Sequence, residues 1–229
     1  MTTILALDAA TTACSVALYR GGVITQQFVS TPREHTRLLL PMVDTLLSEA
    51  GILLTQVDAL AFTAGPGSFT GLRIGFGVIQ GLAFGADLPV IPVSTLAALA
   101  LAGARNSGLE SGCILPALNA RMGEIYWGLY QYEDGRLGAL MSDQIASPQQ
   151  VVDSGLARPD LGVGDGWPLL VEGLSADRID AALTPDAACV VELAQAEFLR
   201  AGARPVDQVE LTYLRNEVSW KKREKIRQP

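Results

Sequence analysis

Residues 57–85, VDALAFTAGPGSFTGLRIGFGVIQGLAFG, constrain this chain more than any other stretch. Val57, Leu60, Ala61 and Phe62 make an apolar run of strand length. Gly65, Pro66 and Gly67 stop it with turn residues. Ser68 or Thr70 can cap a helix at this point, because a hydroxyl there accepts a hydrogen bond from a free N–H of the first helical turn. The pattern predicts a helix over 71–85 with Gly71, Gly75, Gly77, Gly81 and Gly85 in or beside it. Each interior glycine costs about 1 kcal/mol against alanine, so this helix must gain from contacts elsewhere. Gly77, Gly81 and Gly85 recur every four residues on one side, leaving a strip where another backbone can come close. Either the chain's own sheet or a helix of a partner chain fits that strip.

Glycines ahead of a helix start expose N–H groups that suit phosphate. GPGSFTG is nevertheless no Walker loop, since Leu72-Arg73 stand where Lys-Ser/Thr is needed, and it does not fit G-x-G-x-x-G. A structural turn is the better reading of the spacing alone.

Before this stretch, Thr3–Asp8 is apolar and then acidic, Ser15–Tyr19 reads as a second strand, and Gly21-Gly22 turns into a third, Val23–Val29. A strand ending in Asp8, a small-residue turn with Thr11 and Thr12, then a hairpin resembles the first phosphate loop of the actin-like, sugar-kinase and Hsp70 ATPases. Those folds usually place glycine before the Thr pair, where this chain has Ala10. The resemblance makes Asp8, Thr11, Thr12, Gly65, Gly67 and Ser68 the candidate nucleotide or phosphate residues.

A helix is expected from Thr31 as N-cap, with Pro32 at the first helical position and Glu34 completing a capping box, to Gly51. At about 100° per residue, its apolar residues from Leu38 to Ala50 cover roughly 200°. A helix lying on one core needs a stripe only modestly above ~100°, so the surplus argues for a second contact surface. Pro41 falls on the polar side. His35, the sole histidine, projects onto the apolar side with no carboxylate or nucleophile beside it, and reads as a packed or interface residue.

Residues 87–93 read as another buried strand, with Ser94 capping a helix to about Arg105. The first hundred residues thus run three strands, helix, strand, helix, strand, helix, which fits one lobe of the actin-like fold. Asn106–Gly112 reads as a linker. Cys113–Leu118 and Glu124–Tyr132 read as paired strands joined through Asn119–Gly123, and Asp134-Gly135 turns the chain onward. Leu161–Gly164 is a short strand, and Thr184-Pro185 opens a helix ending near Gly202. The expected organisation is an α/β actin-like/Hsp70-like ATPase (ASKHA) fold with two lobes. These are an N-terminal lobe over 1–106 and a reduced second lobe over 107–214, whose helix 184–202 can pack back on the first; a basic tail covers 215–229. The second half is too short for a full lobe, which argues against an independent ATPase.

The net charge is −7, yet residues 215–229 carry six basic and two acidic side chains. The rest of the chain therefore stands at −11, a poor general binder of nucleic acid, whose affinity comes largely from Lys and Arg. The tail itself reads as a solvated C-terminus. Three separated cysteines, Cys14, Cys113 and Cys189, suggest reduced thiols of a cytoplasmic protein. No apolar run of membrane-spanning length is expected, and Asp8 interrupts the first apolar segment, against a signal peptide.

GPGSFTGLRIG after an apolar strand, then QGLA and PVIPVSTLAALA, resembles the bacterial TsaB family, also called YeaZ. LALDAATTACSVAL, PREHTRLLLPMV, NARMGEIYW and YLRNEVSWKK extend the likeness over nearly the whole chain. Members are small paralogues of TsaD, of the glycoprotease-like group, in the synthesis of threonylcarbamoyladenosine in tRNA. The resemblance implies a non-catalytic subunit that pairs with TsaD and supports threonylcarbamoyl transfer to N6 of the adenosine beside the anticodon. The ATPase TsaE joins the assembly, TsaC makes the adenylate, and tRNA contact runs mainly through partners. A homodimer is expected in isolation, and ATP or ADP is expected to bind weakly or only at an interface. Leu38, Leu39, Met42, Val43, Leu46, Leu47, Ile74, Gly77, Val78, Gly81 and Leu82 are the expected partner surface, two helix faces that meet an equivalent pair.

TsaD proteins carry an H-x-x-x-H metal motif where this chain reads Ser94-Thr95-Leu96-Ala97-Ala98, so neither ligand position has histidine. There is no C-x-x-C and no G-x-S-x-G, so neither a metal nor a catalytic residue is assigned. The competing reading is an enzyme of the same fold, a peptidase or minimal nucleotide hydrolase. Arg121 and Glu124 fit either a ligand or partner contact or a local turn.

Overall fold

The structure is a computed structural model that describes residues 2–30, 34–170 and 172–215. The elements run β1 (Thr3–Asp8), β2 (Cys14–Arg20), β3 (Val23–Val29), α1 (His35–Glu49), β4 (Ala59–Gly65), α2 (Phe69–Ala86), β5 (Val90–Ser94) and α3 (Thr95–Ser107). Next come β6 (Ser111–Arg121), β7 (Glu124–Glu133), β8 (Arg136–Ala146), α4 (Pro148–Asp153), β9 (Leu161–Val163), β10 (Arg178–Asp180) and α5 (Ala187–Ala201).

The first sheet has the order β3-β2-β1-β4-β5, with β1, β2 and β3 antiparallel and β1, β4 and β5 parallel. The second has the order β10-β9-β6-β7-β8, again with three antiparallel strands followed by two parallel ones. The second lobe therefore repeats the first strand for strand. Its reduction lies in length rather than in count. β9 and β10 have three residues each, α4 has six, and a single 3₁₀ turn at Trp167–Leu169 connects β9 to β10. Trp167 fills the space this leaves. It is fully buried, its indole Nε1–H donates to the Leu115 carbonyl at 2.8 Å, and only a glycine at 162 lets it lie so close, since a Cβ there would meet the ring at 2.2 Å. The chain is thus a two-lobed α/β protein of the actin-like ATPase fold.

Apolar residues line both faces of β1, as burial on both sides of a parallel strand requires. Leu5 and Leu7 join Leu39, Met42, Val43 and Leu46 of α1 and Ile79 of α2 in one core. Ile4 and Ala6 face the other way into a core with Ala187, Val190, Val191 and Ala194 of α5. α5 packs on β1 and β2, while α3 packs on β6 and β7. The two helices also touch each other, with an Arg105–Glu192 ion pair between them. The pair forms the layer between the sheets.

Several local expectations shift. α1 begins at His35 with Glu34 as its N-cap and no side-chain cap bond; Thr31 and Pro32 lie outside the described residues. Ser68 caps α2 by accepting from Gly71 N–H, and Ser94 caps α3 by accepting from Ala97 N–H. α5 is capped by Asp186, not Thr184, because the Asp186 carboxylate accepts from Cys189 N–H. α3 runs on to Ser107 and β6 starts at Ser111, which shortens the expected linker.

α2 has 18 residues and is long and apolar enough, by length and composition, to cross a membrane, against the expectation of no such run. Its place explains the composition. It is the crossover between parallel strands β4 and β5, and Leu72, Ile79 and Ala83 are buried against the sheet.

Candidate functional site

The site residues named from sequence converge at the C-terminal ends of β1 and β4. Asp8 closes β1 and is fully buried. Its Oδ1 accepts from the Thr63 hydroxyl at 2.8 Å and from Ala10 N–H at 3.1 Å. Among the described residues its Oδ2 has no partner, nor has the buried Thr11 hydroxyl. Burial is the main cause that raises the Asp8 carboxyl to about 7, the two hydrogen bonds opposing it. Thr12 is exposed.

The loop after β1 is held from two sides. On one, the turn before α2 presses against it. Ser68 N–H donates to the Ala10 carbonyl at 2.7 Å. A Cβ at Gly67 would lie 2.5 Å from that oxygen, and one at Gly71 would lie 2.1 Å from the Ala9 carbonyl oxygen. These two glycines are present because backbone meets backbone. On the other side, His35 Nε2–H donates to the Thr11 carbonyl at 3.1 Å and the Ala13 carbonyl at 3.2 Å. His35 is 7% exposed, a packed histidine that fastens the loop to the start of α1. One of the amides a phosphate would need is already engaged by the chain's own carbonyl.

Gly77, Gly81 and Gly85 behave differently. Among the described residues, and apart from the helix's own backbone, a Cβ on any of them would meet nothing within 4 Å. The strip is therefore unused by the chain's own sheet and lies open, with Phe84 beside it 70% exposed. Ile74, Val78 and Leu82 are half-buried at its edge. The expected surplus on α1 resolves otherwise. Leu39, Met42, Val43, Leu46 and Leu47 are all buried within this chain, because α1 packs on β2 and also on α2, so one core absorbs the wide arc. Leu38 remains half-buried and Leu40 exposed.

Between the lobes, the Asp143 carboxylate on β8 accepts from Tyr130 Oη at 2.5 Å and from Ser94 Oγ at 2.6 Å. Burial raises both the Asp143 carboxyl and, with the nearby Asp143 charge, the Tyr130 phenol. The Ser94 position thus serves as helix cap and inter-lobe tie. Among the described residues, no three His, Cys, Asp or Glu side chains are grouped to hold a metal ion.

The C-terminal segment contributes contacts that sequence reasoning missed. Thr212 N–H donates to the Ala64 carbonyl at 2.8 Å, beside the turn of the first lobe. Arg73 Nε–H donates to Tyr213 Oη at 3.1 Å, and its guanidinium lies 3.7 Å above the Phe69 ring. Arg215 then pairs with Glu124 and donates to the Ala120 carbonyl at 3.2 Å and the Arg121 carbonyl at 3.3 Å, in the second lobe. Glu124 accordingly steadies the β6–β7 turn. Arg121 and Met122 both hold positive φ there, 66° and 56°, strained for non-glycine residues. The rest of the basic tail, 216–229, lies outside the described residues.

The fold and this site define a relative of the actin-like ATPases in which the loop after β1 is bonded to the turn before α2. The profile of the family described as TsaD, tRNA N6-adenosine threonylcarbamoyltransferase, matches residues 9–162. The tRNA threonylcarbamoyladenosine biosynthesis protein TsaB of Haemophilus influenzae is 43% identical over 96% of both chains. That of Escherichia coli is 42% identical over 96% of this chain and 97% of its own. A crystal structure from Pseudomonas aeruginosa, described as similar to peptidase YeaZ, superposes with a TM-score of 0.86 at 42% identity, over 94% of this chain and all of that one. The chain belongs to the TsaB (YeaZ) family, within the glycoprotease-like group that includes TsaD, and its role lies in tRNA threonylcarbamoyladenosine biosynthesis.

Proposed function

We propose that this chain is a non-catalytic subunit that pairs with TsaD through the open face of α2 and so supports threonylcarbamoyl transfer to tRNA. The observation that carries this reading is the strip at Gly77, Gly81 and Gly85. Three glycines in one helix cost about 1 kcal/mol each, and among the described residues no atom beyond the helix's own backbone comes within 4 Å of where their side chains would start. A second helix laid along the strip recovers that cost through close backbone packing and covers Phe84. Leu38, Ile74, Val78 and Leu82 border the same contact, while the buried α1 residues support it from beneath. In isolation the same face pairs with a second copy, because exposed apolar patches favour association.

TsaE binds the TsaD-paired form in this reading, and the work is cytoplasmic, in keeping with three free cysteines. ATP or ADP binds the chain weakly or only at the interface, since Ser68 N–H is engaged by Ala10 and the Asp8 carboxyl is buried. A peptidase or nucleotide-hydrolase reading has less support. The one histidine donates to two carbonyls, and neither Asp143 nor Asp8 activates a free nucleophile.

The pairing is tested with Gly81→Arg and Phe84→Glu, assayed for TsaD association by light scattering. Both should remain folded and lose the heterodimer. Full pairing by both folded variants would refute the α2 interface.

A further inference from the structure

We infer that residues 212–215 are a strap between the lobes, which fixes the gap between the β4–α2 turn and the β6–β7 turn and must unfasten before that gap can widen.

The segment changes character at Leu211. Up to that point it belongs to the first lobe. Arg204 exchanges two backbone hydrogen bonds with Val90, at 2.7 and 2.9 Å, and Val206, Val209 and Leu211 pack into the core shared by α1 and α2. Thr212 and Tyr213 then run exposed over the surface. Thr212 N–H donates to the Ala64 carbonyl at 2.8 Å, and Tyr213 Oη accepts from Arg73 Nε–H at 3.1 Å. Gly65 makes room for the crossing, since its φ is 119° and a Cβ there would lie 2.5 Å from the Thr212 carbonyl oxygen. Two residues after Tyr213, Arg215 grips the β6–β7 turn. It pairs with Glu124 and donates to the Ala120 carbonyl at 3.2 Å, the Arg121 carbonyl at 3.3 Å and Met122 Sδ at 3.2 Å.

The two lobes offer corresponding loops at this place. β6 and β7 hold the same position in the second sheet as β1 and β2 in the first. The β6–β7 turn is thus the counterpart of the loop after β1, to which Ser68 ties the β4–α2 turn. Three residue steps separate Thr212 from Arg215, a reach of roughly 10 Å at full extension. A segment that short, bonded at both ends, limits how far the two loops can part.

Two other ties join the lobes, Ser94 with Asp143 and Arg105 with Glu192, and both lie along α3. Contacts strung along one helix leave rotation about it the easiest motion. The strap is anchored on β4, α2 and the β6–β7 turn, off that line, and so blocks the rotation. Its fastenings are single hydrogen bonds and a partly exposed ion pair, which are weak enough to release.

Hydrogen exchange read by mass spectrometry on the full chain tests the strap, in the parent, Tyr213→Ala, Arg215→Ala and the double variant. A strap works only with both ends fast. Each single variant should speed exchange at both anchors, the 63–67 and 119–124 segments, by about tenfold. The double variant should add little more, because the two ends act as one unit. Exchange should also quicken at 94–97 and 141–145, which carry the Ser94–Asp143 tie and touch neither substituted residue. Arg73→Ala and Glu124→Ala cut the same fastenings from the lobe side and should reproduce the two single variants. Faster exchange confined to the substituted end, with additive effects in the double variant, would reduce the segment to two local contacts and overturn the inference. Unchanged exchange at 94–97 and 141–145 would overturn it as well.

Discussion

Ser68 N–H donates to the carbonyl of Ala10 at 2.7 Å, and this bond ties the loop after β1 to the turn before α2. Two glycines make the approach possible. Replacing Gly71 by alanine sets a Cβ 2.1 Å from the Ala9 carbonyl oxygen, so backbone must move. Such overpacking costs about 1–3 kcal/mol. Gly71→Ala and Gly67→Ala should lower the midpoint of urea unfolding, and a neutral result in both would show that the loop is slack.

Gly77 and Gly81 should respond in the opposite sense. Among the described residues nothing outside the helix's own backbone lies within 4 Å of a Cβ at either position, and alanine is the better helix former by about 1 kcal/mol. The isolated monomer should gain up to that amount from Gly81→Ala. Pairing with TsaD should weaken at the same time. A variant more stable and equally well paired would mean that the glycine strip serves no close contact.

Val43 is 4% exposed and lies inside the core between α1, β2 and α2. An aspartate there buries a charge without a partner, a cost of several kcal/mol. Val43→Asp should therefore unfold the chain rather than report on pairing. Val78, half-buried on α2, is the informative site for a charge, and circular dichroism separates the two outcomes.

Asp8 makes stability depend on pH. Its folded carboxyl sits at about 7 against an ordinary 3.8, chiefly through burial. A raised acid is held protonated by the fold. The penalty for ionising it is absent below 3.8, grows as pH rises and is complete above about 7. Asp8→Asn, which can still accept from Thr63, should be more stable than the parent at pH 8. Its melting temperature should also vary less between pH 4 and 7. An Asp8→Asn chain less stable at pH 8 would show that the charged form is held by contacts the structure does not contain.

His35 fastens the loop through the Thr11 and Ala13 carbonyls. His35→Ala should cost about 1–3 kcal/mol, by leaving buried acceptors unpaired. It should leave tRNA modification intact at temperatures where the chain is folded.

The first lobe was legible because its signals are local. Apolar runs bounded by turn residues marked β1, β2, β4 and β5, the Gly21-Gly22 turn marked β3, and the hydroxyls of Ser68 and Ser94 marked two helix starts. β8 was harder to see. It is an edge strand with half its residues exposed, so no apolar run announces it. β10 has three residues and gains its place by pairing with β9. The α1 arc misled for a tertiary reason, since two partners within the chain, β2 and α2, share it. The candidate loop residues were legible by type, but the Asp8–Thr63 bond joins positions 55 residues apart and no spacing rule reveals it. The Arg215 anchor was likewise hidden, because in sequence it reads only as the first charge of a basic tail.

Reconstitution tests the central claim most directly. TsaD, TsaE, TsaC, tRNA, threonine, bicarbonate and ATP are combined with and without this chain, and modified tRNA is counted over several turnovers. Modification should require the chain, survive His35→Ala and be lost with Phe84→Glu. Equal modification without the chain would contradict a supporting role beside TsaD.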